Sequence, residues 1–188
     1  MIPTPPFPPL IVVMGVSGSG KTTQGQALAR RLGLPFADAD DFHPESNVAK
    51  MAAGTPLDDE DRRPWLQIIG AWLALHTDSG GVISCSALKR DYRDQLRAGA
   101  SRVTFVHLHG TREVVTARVA ARPGHFMPTS LVDSQLATLE PLQADEAGLQ
   151  LDLDAPVEQI VDRYLFAHLH PHPTVPRTAA RPDVPGAF

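Results

Sequence analysis

A parallel α/β sheet with helices on both faces is the fold class predicted for this chain, and three observations predict it. Short apolar runs recur along the sequence. Segments with helical apolar spacing separate them. A glycine-rich turn links the first run to the first helix. The first run, Leu10-Ile-Val-Val-Met14, is continuous rather than alternating, which is the pattern of a strand covered on both faces. A helix over 20–32 follows and stops at Gly33, and a second short strand covers 34–38. Trp65, Ile68, Ile69, Trp72 and Leu73 recur at helical spacing, with Pro64 placed in a first helical turn. A third strand at 82–85 runs into a helix over 86–98, and Val103 opens a fourth strand that ends at Leu108. The next helix, 111–122, is ended by Pro123-Gly124. Leu149, Leu151 and Leu153 alternate with polar residues as a last strand exposed on one face. Val157, Ile160, Val161, Tyr164 and Leu165 then form the stripe of a closing helix after Pro156.

Composition narrows the class. At 188 residues, 43% hydrophobic and 20% charged, the chain has the make-up of an ordinary globular domain with room for a substantial core. Seventeen basic against twenty-one acidic side chains leave a formal charge of −4, which speaks against a nucleic-acid binder. The longest uninterrupted apolar run is far too short to span a bilayer, and no secretory-type start is present, so no membrane partner and a cytoplasmic location are expected. Cys85 is the only cysteine, which excludes an internal disulfide and a zinc site built on several thiolates. Its place at a strand end points to packing rather than nucleophilic chemistry. Prolines crowd both ends (Pro3, Pro5, Pro6, Pro8 and Pro9; Pro171, Pro173, Pro176, Pro182 and Pro185), so 1–9 and 169–188 read as extended mobile tails around one domain at 10–168.

The strongest chemical signal is Gly15-Val-Ser-Gly-Ser-Gly-Lys-Thr22, which fits G-x-x-x-x-G-K-[ST] and sits between a strand and a helix, as that motif requires. Gly15, Gly18 and Gly20 let backbone approach a ligand closely, and the N–H groups that open the helix point at anionic oxygens. Residues Gly15, Val16, Ser17, Gly18, Ser19, Gly20, Lys21, Thr22 and the adjoining Thr23 are therefore the expected ATP-binding set. Lys21 bridges the β- and γ-phosphates and the Thr22 hydroxyl ligates Mg²⁺. The fold class sharpens to a P-loop NTPase with a five-stranded parallel sheet. Its third strand runs into Ser86 without the aspartate that often assists the metal, so carboxylates must come from elsewhere. Asp38 and Asp40 are the nearest. Alternate residues of an extended segment share a side, which would turn both toward the crevice at the carboxyl ends of the strands. One can hold the metal's water shell while the other accepts a hydroxyl proton.

With these residues in view, the chain resembles the gluconokinases of the small P-loop type. The resemblance rests on the phosphate loop and on Asp38-Ala-Asp-Asp-Phe-His-Pro44, Asn47-Val-Ala-Lys-Met51 and Gly54-Thr-Pro-Leu-Asp-Asp-Glu-Asp-Arg-Arg-Pro-Trp65. It rests equally on Cys85-Ser-Ala-Leu-Lys-Arg-Asp-Tyr-Arg93 and Arg122-Pro-Gly-His-Phe126, and it runs from about Leu10 to about Leu165. It implies ATP-dependent phosphorylation of D-gluconate at its 6-hydroxyl, a nucleoside-monophosphate-kinase-like fold with a flap near 42–65 and a lid near 122–140, and commonly a homodimer. Carried onto this sequence, it makes Asp40 the base that binds the acceptor hydroxyl and places Asp38 near Mg²⁺. Arg63, Lys89 and Arg93 become candidates for the gluconate carboxylate, because a guanidinium fork matches that geometry. His43 and His125, which lie within the quoted motifs, join the substrate-side set. Arg118 and Arg122 stand at the base of the lid, where positive charge would close over the transferring phosphoryl group. Pro123 stands where members of the family commonly have lysine, which gives a stiffer hinge with one charge fewer. The alternatives are another small-molecule P-loop kinase acting on shikimate, adenylate or a nucleoside, and a non-catalytic ATP-binding switch.

Overall fold

The structure is a computed structural model that describes residues 7–121 and 129–169. Five parallel strands, β1 (Leu10–Met14), β2 (Phe36–Asp38), β3 (Gly81–Ser84), β4 (Val103–His109) and β5 (Gly148–Asp152), form one sheet in the order β2-β3-β1-β4-β5. The helices among the described residues are α1 (Lys21–Leu32), α2 (Glu45–Ala52), α3 (Asp59–Leu75), α4 (Arg90–Gly99), α5 (Arg112–Ala120), α6 (Thr129–Thr138) and α7 (Val157–Leu169). A 3₁₀ turn occupies Ala39–Phe42.

The continuous apolar run of β1 is explained by two cores. Successive side chains of a strand point to opposite faces. Leu10, Val12 and Met14 therefore pack with Leu66, Ile69 and Leu73 of α3 and Leu96 of α4. Ile11 and Val13 pack with Leu28 of α1, Val115 of α5, and Val161 and Tyr164 of α7. Each face buries apolar area worth roughly 1.5–3 kcal/mol per large side chain, so β1 is held from both sides.

Several boundaries differ from the sequence reading, each for a local reason. Helix α3 begins before Pro64 rather than at it: Asp58 and Asp61 form a reciprocal capping box, with Asp61 N–H donating to Asp58 Oδ1 at 2.9 Å and Asp58 N–H to Asp61 Oδ2 at 2.8 Å. That cap tolerates an interior proline, whose missing N–H leaves the Glu60 carbonyl without its helical donor. The helix expected from 86 begins only at Arg90, because 85–89 runs as a loop in which Ala87 adopts φ 44°. The expected amino-terminal tail is docked over its last three residues. The Arg102 guanidinium lies 3.9 Å over the Phe7 ring, and Pro9 O accepts from Gly81 N–H at 3.0 Å. The rest of that tail and the segment 170–188 lie outside the described residues.

Arg93 is the clearest correction. Expected at the sugar acid, it is fully buried, because α4 turns it inward. Its Nε and Nη2 donate to the two Glu146 carboxylate oxygens at 2.6 and 2.9 Å. Its remaining donors reach the carbonyls of Ala87, Leu88, Glu140 and Pro141 at 3.1–3.3 Å. A guanidinium so engaged has nothing left to offer a substrate. It staples the 85–89 loop, the turn after α6 and the approach to β5 into one unit.

Removing one partner of a buried pair strands the other charge, so Glu146→Gln should lower unfolding free energy by about 3–5 kcal/mol in urea titrations. Arg63→Ala should change it by less than about 0.5 kcal/mol, since the Arg63–Glu60 pair is solvent-exposed. His107 of β4 makes a second prediction. Burial, then His109 and Arg93, hold its imidazole down at about 4. The unfolded chain therefore takes up a proton near pH 6.5 that the folded chain refuses, and stability falls as pH drops from 6.5 toward 4. Between pH 7.5 and 5.0 the protein should lose about 2 kcal/mol more than its His107→Leu variant.

Candidate active site

The site lies where β1, β3 and β2 end side by side. Val13, Ser84 and Asp38 occupy one register row across these strands. The chain leaves β1 through the glycine-rich turn and enters α1 at Lys21. Gly18 has φ 80°, and a Cβ there would come within 2.4 Å of Val119 of α5, so the turn needs glycine for conformation and for space. Gly20 caps α1 in the left-handed region, which leaves the helix's first N–H groups facing the crevice. Ser19 Oγ is buried there with no hydrogen-bond partner among the described residues. Lys21 Nζ donates back to Val16 O at 3.1 Å and so arches over the loop.

Thr22 and Asp38, paired by the sequence reading around a metal, meet directly: Thr22 Oγ1 donates to Asp38 Oδ2 at 2.7 Å. The other Asp38 oxygen accepts from Asp40 N–H at 3.2 Å, capping the 3₁₀ turn. That turn also corrects the argument from alternation. Residues after Asp38 are not extended, so Asp40 is placed by a coil of the chain and not by a continuing strand. The two carboxylates have different surroundings in consequence. Asp38 is engaged by Thr22, whereas the Asp40 side chain is 81% exposed.

The flap residues are built onto α3. Trp65 Nε1 donates to Ala39 O at 2.7 Å, and the His43 ring stacks on Trp65 with centroids 4.4 Å apart. His43 Nε2 lies 4.0 Å from Asp40 Oδ1. Burial lowers the His43 pKa from its ordinary value; Asp40 works against this and Arg62 adds to it. A neutral His43 is thus held beside Asp40 as a polar wall. Asn47 Nδ2 donates to Asp61 O at 2.8 Å, and Lys50 pairs with Asp58 and Asp61, so α2 is stitched to the amino-terminal turn of α3.

The basic residues fall into three groups. Lys89 points toward α3, where Asp59 receives it at 2.8 Å on both oxygens and also accepts from Tyr92 Oη. The Asp59 carboxylate raises the Lys89 pKa and keeps it charged. Arg63 faces outward to Glu60 at 2.8 and 3.1 Å, away from the crevice. Its neighbour Arg62, which the sequence reading passed over, turns inward instead. It donates to Leu57 O, stands 5.8 Å from the Tyr92 ring centroid and acts electrostatically on His43. Helical phase was the available signal: 62, 66, 69 and 73 share the buried stripe of α3, and 63 does not. Arg118 lies beside the phosphate loop, with Nη1 3.8 Å from where a Gly20 Cβ would be, and is anchored to Leu153 O at 2.6 Å and Asp154 at 3.6 Å. Arg122 and His125 lie outside the described residues. Cys85 is buried, and burial pushes its thiol up to about 12, which rules it out as a nucleophile.

A hydroxyl and a carboxylate at the mouth of a backbone cradle fit a hard cation that takes its other ligands from water and phosphate. No described helix is long and apolar enough to cross a membrane.

Comparison with known proteins places this geometry in a family. A family model for shikimate kinase matches residues 17–165. A gluconokinase from Gluconobacter oxydans (strain 621H) is 50% identical, over 77% of this chain and 82% of that protein. The thermoresistant gluconokinase of Escherichia coli (strain K12) is 43% identical, over 81% of this chain and 89% of that protein. Among solved structures, a gluconokinase from Sinorhizobium meliloti 1021 superposes with a TM-score of 0.79 at 48% identity, covering 88% of this chain and 93% of that one. Identity at this level over most of both chains is decisive where a likeness of fold would not be. The chain belongs to the gluconokinase family, within the P-loop kinases that the shikimate kinase model describes.

Proposed function

We propose that this chain is a gluconokinase that transfers the γ-phosphoryl group of ATP to the 6-hydroxyl of D-gluconate, giving 6-phospho-D-gluconate and ADP. The observation that carries the reading is the pair of carboxylates at the phosphate loop. One is engaged with the Thr22 hydroxyl, and the other is 81% exposed, with His43 4.0 Å from it. A nucleotide switch has no use for the second. An acceptor hydroxyl does.

Asp40 accepts the hydroxyl proton and orients the oxygen for in-line attack, with His43 fixing the wall beside it. The N–H groups of residues 18–22 and the Lys21 ammonium hold the phosphates in place and offset developing charge. Thr22 and Asp38 would hold Mg²⁺, directly or through its water. When bound, that ion screens the negative charge between nucleotide and acceptor. Arg62 and Lys89, both close to the Tyr92 ring, suit the sugar-acid carboxylate. Arg62 takes the place first given to Arg63. Arg118 beside the loop, with Arg122 and His125 beyond the described residues, completes the positive field. The single-domain organisation with a flap at 42–65 and a lid at 122–140, the homodimer and the cytoplasmic location belong to the same proposal and rest on the family.

Asp40→Asn should lower kcat for gluconate phosphorylation by at least about 100-fold while a non-hydrolysable ATP analogue still binds. A rate within roughly tenfold of the parent would reduce Asp40 to a binding role. Lys21→Ala should abolish turnover and keep the parent's circular dichroism spectrum; near-parental activity would remove the phosphate loop from the chemistry.

A further inference from the structure

Ser17, the third residue of the phosphate loop, is paired with Gln135 of α6, 118 positions away in sequence. The pairing has two points. Ser17 N–H donates to Gln135 Oε1 at 2.7 Å, and Gln135 Nε2 donates to Ser17 Oγ at 3.3 Å. A carboxamide offers an acceptor and a donor from one planar group, so this side chain grips the backbone and the hydroxyl of one loop residue together.

Gln135 is presented by a helix that other contacts fix. Val132 of α6 is fully buried in the core on the α1 face of the sheet, and Asp133 pairs with Arg112 of α5 at 2.6 and 3.0 Å. Just past α6, Glu140 N–H donates to Leu88 O at 2.8 Å, and Arg93 holds the Glu140 carbonyl at 3.1 Å. These contacts seat the helix, which falls within the segment assigned to the lid, against the core and the 85–89 loop, so it reaches the phosphate loop already anchored. With its N–H taken by Gln135, Ser17 faces protein, and the phosphates are left to the N–H groups that follow it.

We propose that Gln135 is a positioning residue for the nucleotide: its carboxamide orders the first bend of the phosphate loop before ATP arrives, by holding Ser17 at two points. A loop ordered in advance loses less conformational freedom on binding, so the clasp contributes to nucleotide affinity without touching the nucleotide. The inference rests on reading residues 15–22 as the ATP site. It reaches beyond that reading by giving one α6 side chain a hold on the phosphate loop itself.

The test is calorimetric titration of the full chain with a non-hydrolysable ATP analogue and Mg²⁺, set beside the KM for gluconate and the melting midpoint without ligand. Gln135→Met, which keeps length and loses both hydrogen bonds, should weaken analogue binding by about tenfold, with the gluconate KM within about twofold and the melting midpoint little changed. Gln135→Glu, which places a negative charge beside the triphosphate, should weaken it further. Should Gln135→Met fail to fold, Gln135→Asn keeps the carboxamide but draws it back by one methylene, and the same weakening is expected. Analogue affinity within twofold of the parent would overturn the proposal. A parallel loss of affinity for both substrates would also overturn it, as the mark of a merely structural role. Failure of the parent to phosphorylate gluconate would strike the proposed function instead, and the comparison of analogue affinities would still decide the role of Gln135.

Discussion

The structure depends first on a parallel register that sets three strand ends in one row. Val13, Ser84 and Asp38 are neighbours across β1, β3 and β2, although β2 and β3 are far apart in sequence. Parallel strands deliver all their carboxyl ends to one edge, and the loops that leave that edge converge. Because β3 lies between β1 and β2, the Thr22 hydroxyl at the start of α1 and the Asp38 carboxylate at the end of β2 meet across it at 2.7 Å. The buried alternation of β1 maintains that row, since slipping it by one residue would move every core side chain to the wrong face.

Around this row, the segments that differ from regular structure are each held by a polar contact of long sequence range. The 3₁₀ turn carrying Asp40 is closed by Asp38 and backed by the Trp65 indole. Arg93 gathers the 85–89 loop and the turn after α6 through four carbonyls and Glu146, and Gln135 joins α6 to the phosphate loop. The segments they hold lie outside helices and strands, where the backbone alone leaves many shapes open. Arg93 is hydrogen-bonded through Nε and both Nη atoms, which is what makes burying it tolerable.

Much of the frame was legible in the sequence, because hydrophobic period and turn chemistry are local. All five strands and the phosphate loop follow from period and motif, whereas it is the family resemblance that places Asp38 near the metal. What was not legible depended on phase or on distant partners. Lys89 and Arg93 looked equivalent at four-residue spacing, but the helix begins only after Lys89, so one side chain meets Asp59 and the other is buried against Glu146. Arg62 and Arg63 are adjacent, and only the start of α3, set by the Asp58–Asp61 cap, decides which faces inward. That cap is a sequence signal that can be read, and it outranks Pro64 as the mark of where the helix starts. The Ser17–Gln135 pair had no local signal at all.

The acceptor is what sets a gluconokinase apart from other P-loop kinases, and the product of the reaction identifies it. The chain would be incubated with ATP and Mg²⁺ and, in separate reactions, with D-gluconate, shikimate, AMP or no acceptor. ADP release and ³¹P resonances would be followed together. ADP release is expected with gluconate alone, matched by a phosphomonoester on the 6-oxygen. A phosphomonoester formed on shikimate or AMP but not on gluconate would contradict it, as would ADP release that is indifferent to the acceptor.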